Sequence, residues 1–242
     1  INSLNADINI DEMLTKTTTK QASLVLLSKE NTEVDTSLLE FSDENVSVTL
    51  PLLKIVTLPT AVEFKNAPTY YSNNQIEYSI TPSKVTAAIP VDLVDSMEYF
   101  VVDTIDFTDI YNKKNTYKIK ANESQSFTYL EDEKIDSFTV SIDASNMTSK
   151  TFVVPASNIS VKNNLNFYDI TSLATSGKEI TVVGSSDALS NISDNDFYVV
   201  IDTTEQDVST NTTTLRGRVV VPANKQCWSV GDCNINVKVE EK

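Results

Sequence analysis

The feature that most constrains this chain is a repeat. KIVTLP (54–59) matches KTFVVP (150–155), and Pro155 follows Pro59 by 96 residues. Each is followed by a strand-like run ending in Lys-Asn, AVEFKN (61–66) and NISVKN (158–163). Then come SKVTAAIP (83–90) and KEITVVGS (178–185), YFVVDTID (99–106) and DFYVVID (196–202), and last SFTVSI (137–142) and NINVKV (234–239). Five matches in one order at one spacing define a structural period, and a period of this length is that of a small domain repeated in tandem. ADINID (6–11) and NVSVTL (45–50) match the end of that series, with Asp11, Asp106 and Asp202 spaced 95 and 96 residues apart. The expected organisation is the C-terminal half of one repeat over 1–52, a full repeat over 53–146 and another over 147–242. With no initiator Met at its start, the chain reads as a fragment of a longer protein.

The runs within the repeat are rich in Val, Ile, Thr and aromatics, and several alternate apolar with polar residues, the period of a half-buried strand. Asn, Asp, Ser and Thr clusters separate them; with only 4 Gly but 22 Asn in 242 residues, asparagine supplies the turn chemistry. PVDLVDSM (90–97) and SSDALSNI (185–192) each predict a turn or two of helix with an N-terminal cap. The predicted fold class is all-β, with one short helix per repeat, and short linkers without glycine predict small β modules set in an elongated rod.

Composition narrows the chemistry. The chain has no His, which removes Ser-His-Asp and Cys-His catalysis and His-ligated metals. Net charge is −15, with 34 acids against 19 bases, and only two of the bases are Arg, Arg216 and Arg218. Nucleic acid is therefore a poor partner. No stretch approaches the eighteen or so apolar residues of a membrane-spanning helix. No catalytic, cofactor or metal residues are expected, and no cofactor.

The repeated Ile-Asp pairs are the most conspicuous motif. Because they recur in separate modules, Asp11, Asp106 and Asp202 are not expected to converge; each reads as an aspartate capping the turn after a core strand. Cys227 and Cys233, in QCWSVGDCN, flank a Val-Gly-Asp turn that would set them opposite each other as a disulfide or as two free thiols; two Cys alone cannot complete a zinc site. The acidic runs YLEDEKID (129–136) and SDNDF (193–197) lack the glycine-containing calcium-loop pattern and read as solvated loops. Tyr70 and Tyr71, in APTYYSNN, and Tyr168, in NLNFYDI, are candidate partner contacts or edge packing.

The ordered set resembles the YbbR-like domain of Gram-positive and related bacteria. VVPASNISVKN, EITVVGSSDALSNI, FYVVID and INVKV carry the likeness best; the first full repeat departs from it at Ile89-Pro90, where Gly-Pro is usual. The resemblance implies small, mostly β domains in tandem outside the cytoplasmic membrane, behind an N-terminal membrane anchor that this sequence does not contain. It implies a membrane diadenylate cyclase as partner, whose synthesis of cyclic di-AMP the protein modulates, and it assigns no catalytic residues. The expected function is thus a non-enzymatic, extracytoplasmic regulatory or interaction module; the alternative is a surface stalk or adhesin of immunoglobulin-like repeats.

Overall fold

A computed structural model describes residues 2–11, 13–35, 37, 39, 45–121, 128–130, 135–162, 165–204 and 206–242. In chain order the elements are β1 (Ser3–Asp7), β2 (Thr18–Leu27), β3 (Asn45–Leu50), β4 (Leu53–Lys65), α1 (Tyr70–Asn73), β5 (Tyr78–Thr81), β6 (Lys84–Pro90), α2 (Val91–Val94), β7 (Phe100–Asp106), β8 (Lys114–Lys120), β9 (Thr128–Tyr129) and β10 (Ser137–Asp143). They continue as β11 (Thr148–Val154), β12 (Ile159–Lys162), β13 (Tyr168–Ser172), β14 (Lys178–Gly184), α3 (Ser186–Ser190), β15 (Tyr198–Asp202), β16 (Thr214–Arg216), β17 (Arg218–Val220), β18 (Cys227–Val230) and β19 (Asn234–Glu241). The chain is all-β. α2 and α3 fall where the sequence places helices; α1 is a helical turn in a stretch that reads as a plain turn.

The strand order recurs with the sequence period. β11 pairs antiparallel with β14, which pairs with β18, as the start of β4 pairs with β6 and β6 with β9. β13, β19 and β16 form a sheet in that order, and so do β5, β10 and β8. β12 runs parallel to β15, from Ile159↔Val199 to Lys162↔Asp202, and β4 is likewise the neighbour of β7. At the N-terminus β3 pairs with β2, as β10 pairs with β8 and β19 with β16.

The chain divides into two compact units. One comprises Ile1–Pro59, Lys84–Phe100 and Ala121–Asp136; the other comprises Thr60–Ser83, Val101–Lys120 and Ser137–Lys242. The division cuts across the sequence period, because β4 contributes Leu53–Pro59 to the first unit and Thr60–Lys65 to the second.

In the first unit Val85, Ala87 and Ile89 alternate into the interior from β6, and Ala22 and Leu26 of β2 are also buried. Phe100 packs on Tyr129 with ring centroids 6.0 Å apart. In the second unit β19 buries Ile235, Val237 and Val239 at every other position, the outcome its alternating sequence predicts. They meet Phe152, Val154, Ile180, Val182, Phe197, Val199 and Ile201 in one core. Each such side chain contributes about 1.5–3 kcal/mol through burial. β14 alternates up to Val182 and then departs from it: Val182, Val183 and Gly184 are all buried.

Candidate functional site

Two of the three Ile-Asp pairs, at Asp106 and Asp202, lie in the second unit. β7 ends at Ile105-Asp106, and a 3-10 turn, Phe107–Asp109, follows at once. The Asp106 carboxylate caps that turn by accepting from the Thr108 N–H at 3.0 Å. It also accepts from the Asn66 amide at 2.8 Å. Lys65 and Arg216 stand 3.6 and 3.8 Å from its Oδ2. Asn66 delivers its amide from a left-handed backbone (φ 55°), a conformation asparagine tolerates better than other side chains do. Burial would push the Asp106 pKa up, but the hydrogen bonds from Thr108 and Asn66 and the charge of Lys65 outweigh it and hold the carboxyl below its ordinary value.

Asp202 repeats the device at the end of β15. Its carboxylate accepts from the Thr204 N–H at 3.0 Å and the Thr204 hydroxyl at 2.6 Å. Lys162 donates to it at 2.9 Å across the parallel β12–β15 pair. Bonds from Thr204 first, then from Lys162, hold it well below the usual carboxylate range. Both aspartates therefore act as the capping residues the sequence suggests.

The expectation that they stay apart is overturned. Asp106 and Asp202 line the same groove, a cavity of about 820 Å³ that also takes in Lys65, Lys162, Arg216 and Arg218. The expectation took each sequence repeat as a separate body, whereas one compact unit holds strands from two successive repeats. Asp11 is exposed and lies in the other unit. The loop after β15 is locked to β16 by Gln206, whose amide donates to the Asp202 and Arg216 carbonyls at 2.7 and 3.0 Å and accepts from the Arg216 N–H at 2.8 Å. In the sequence Lys-Asn, Ile-Asp and the two arginines stand apart; the common spacing of the first two is the signal that joins them.

An aromatic cluster closes one side of the Asp106 turn. Trp228, from β18, packs edge-to-face on Phe107 at 5.8 Å and on Tyr71 at 5.6 Å. Its indole N–H donates to the Ile110 carbonyl at 2.6 Å. The Gly231 N–H donates to the Thr108 carbonyl at 2.8 Å. Tyr70 and Tyr71 stand together at 5.1 Å, both half-buried, and Tyr71 reaches into the cluster. Its hydroxyl is buried without completing a hydrogen bond, although Gln226 lies near, and burial pushes its pKa far up. Tyr168 is half-buried against the core of the second unit, away from that pair in its sheet and its packing.

Cys227 and Cys233 are free, buried thiols, the second of the two states their spacing leaves open. β18 joins β14, and Cys233 lies in the link to β19, which joins β13 and β16, so the two cysteines are not cross-strand partners. Cys227 instead faces Gly184, where any Cβ would come within 2.7 Å of the cysteine's own Cβ. Burial pushes the Cys227 thiol up to about 11 and the Cys233 thiol in the same direction. In SDNDF, Asp196 caps its own turn, accepting from the Ser193 N–H and hydroxyl at 2.8 Å each. In the run 129–136, residues 131–134 lie outside the described residues. Among the described residues no group of three or more Cys, Asp or Glu could hold a metal ion, and no helix is long and apolar enough to cross a membrane.

Fold and groove together define an all-β chain with a charged groove lined by residues of two successive repeats. No family model and no curated protein matches the chain. Among solved structures it is similar to a YbbR-like protein from Streptococcus pneumoniae TIGR4, with 14% identity, 79% of this chain and 96% of that one covered, and a TM-score of 0.27. A likeness so distant says nothing about function.

Proposed function

We propose that the chain is a non-catalytic, extracytoplasmic interaction module of the YbbR-like kind, acting on a membrane diadenylate cyclase to modulate cyclic di-AMP synthesis. The observation that carries this reading over a stalk of immunoglobulin-like repeats is the helix that follows the equivalent strand in each full repeat. α2 follows β6 and α3 follows β14. An immunoglobulin-like sandwich is built from antiparallel strands and has no place for that helix, nor for the parallel β12–β15 pair. α3 is properly capped, with the Ser185 hydroxyl accepting from the Ala188 N–H at 3.2 Å, whereas α2 starts after Pro90 without a side-chain cap.

The polar residues support a binding role. The two recurrent aspartates are held ionised by hydrogen bonds to their own turns, the opposite of the raised pKa that a general acid needs at neutral pH.

The test is cyclic di-AMP output from the host's membrane diadenylate cyclase, co-expressed with the full-length protein or with a version lacking these 242 residues. A change in output that disappears with the deletion supports regulation by these repeats. Equal effects of both versions would assign regulation to other parts of the protein, and no effect of either would sink the reading.

A further inference from the structure

The groove between the Asp106 and Asp202 turns gathers cations that an acidic chain has reason to spread out. Both arginines line it, together with Lys65 and Lys162, beside the Asp106 and Asp202 carboxylates. The four do not stand equally committed. Lys162 is bound to Asp202 at 2.9 Å. The Arg216 guanidinium lies between Asp106 and Asp232, at 3.8 and 3.7 Å. Those separations orient the side chain but are too long for hydrogen bonds, so among the described residues its N–H donors stay open. Arg218 has no ion-pair partner among the described residues.

The backbone that carries the arginines is held firmly. Gln206 bonds Arg216 on one side, and the Gly217 N–H donates to the Cys233 carbonyl at 2.7 Å on the other. Gly217 is buried, and a Cβ there would come within 2.5 Å of Val199 Cγ1. The two arginines thus flank a fixed point, and their backbone needs no reordering to meet a ligand. Val200, Val219 and Val221 supply apolar surface beside them. A volume of about 820 Å³ lies within the range of small-molecule clefts.

We propose that this groove is a binding site for a small oxyanionic ligand, a phosphate ester or polycarboxylate, whose charged group is received by Arg216 and Arg218 while its apolar part rests on the valines. Arginine suits the role because its planar fork meets phosphate or carboxylate with two parallel hydrogen bonds. The site stands independently of any action on a cyclase.

The test is an amide-resolved NMR titration of the full chain with inorganic phosphate and, separately, with citrate. The expected result is saturable shifts confined to residues 65–69, 106–108, 202–204 and 216–221. Tighter phosphate binding identifies a phosphate ester as the ligand class, and tighter citrate binding a polycarboxylate. Arg218→Gln, which breaks no ion pair, is expected to keep the native spectrum and bind about tenfold more weakly, the loss of roughly one charge-assisted contact. Lys238→Gln, outside the groove, is expected to bind as the parent does. Absence of shifts, shifts scattered over surface lysines, or equal binding by Arg218→Gln and the parent would each overturn the proposal.

Discussion

Asp106 and Asp202 occupy the same place in two copies of one pattern. Both end a strand after Ile, both cap the next turn through an N–H two residues on at 3.0 Å, and both have a Lys from a neighbouring strand as ion partner. Yet Asp106 is 6% exposed and Asp202 43%. The difference comes from what lies over each turn. Both turns border the groove, but the Asp106 turn is also covered by Trp228 of β18, by Gly231 just after it and by the Arg216 side chain. Local sequence produces the same cap twice, and packing decides how much stability the cap carries.

Removing the cover has the largest expected effect. Trp228→Ala deletes the ring against Phe107 and Tyr71 and leaves the Ile110 carbonyl without its donor, and should cost about 3–5 kcal/mol in urea denaturation. It should also release the Thr108 amide to hydrogen exchange, making the Asp106 turn behave like the Asp202 turn. A cost below about 1 kcal/mol would show that the cover does not distinguish the two sites.

Asp106→Ala comes next. It strands the Asn66 amide and the Thr108 N–H, and is expected to cost about 1–3 kcal/mol. Asp202→Ala should cost clearly less in the same denaturation series, since water can replace its bonds. Equal costs would break the comparison.

Acid sharpens it further. Asp106 has a folded pKa below its ordinary value of 3.8, so its contribution is complete above that value and is lost as pH falls through the folded pKa. Stability measured by thermal denaturation should fall on acidification below about pH 4. Asp106→Asn should fall less steeply than the parent. Parallel slopes would mean that this carboxylate contributes nothing to the acid transition. The smallest expected effect is that of Lys162→Gln, whose ion pair with Asp202 is largely solvent-exposed; its denaturation midpoint should match the parent's.

Much of this was legible in the sequence. Alternating Val, Ile and Thr identified β3, β10 and β19, because one buried face imposes period two on any strand. Ser185 and its following residues announced α3, since capping is local chemistry. The capping role of Asp106 and Asp202 was also readable, for the same reason. α1 was not: Tyr70 and Tyr71 enter a helical turn without a capping side chain, and the aromatic cluster around Tyr71 draws on Phe107 and Trp228, distant in sequence.

What the sequence determined by itself is therefore the all-β class, the period of the repeat and the turn caps, all of which depend on residues close along the chain. Only the tertiary structure decided that strands from two repeats share one compact unit, that Cys227 and Cys233 are free thiols and not cross-strand partners, and that Asp106 is buried while Asp202 is not. Those outcomes depend on which strand edges meet, and backbone pairing is much the same for any sequence of suitable alternation. The choice falls to side chains far apart in the chain, such as Trp228 reaching Ile110 and Arg216 reaching Asp106.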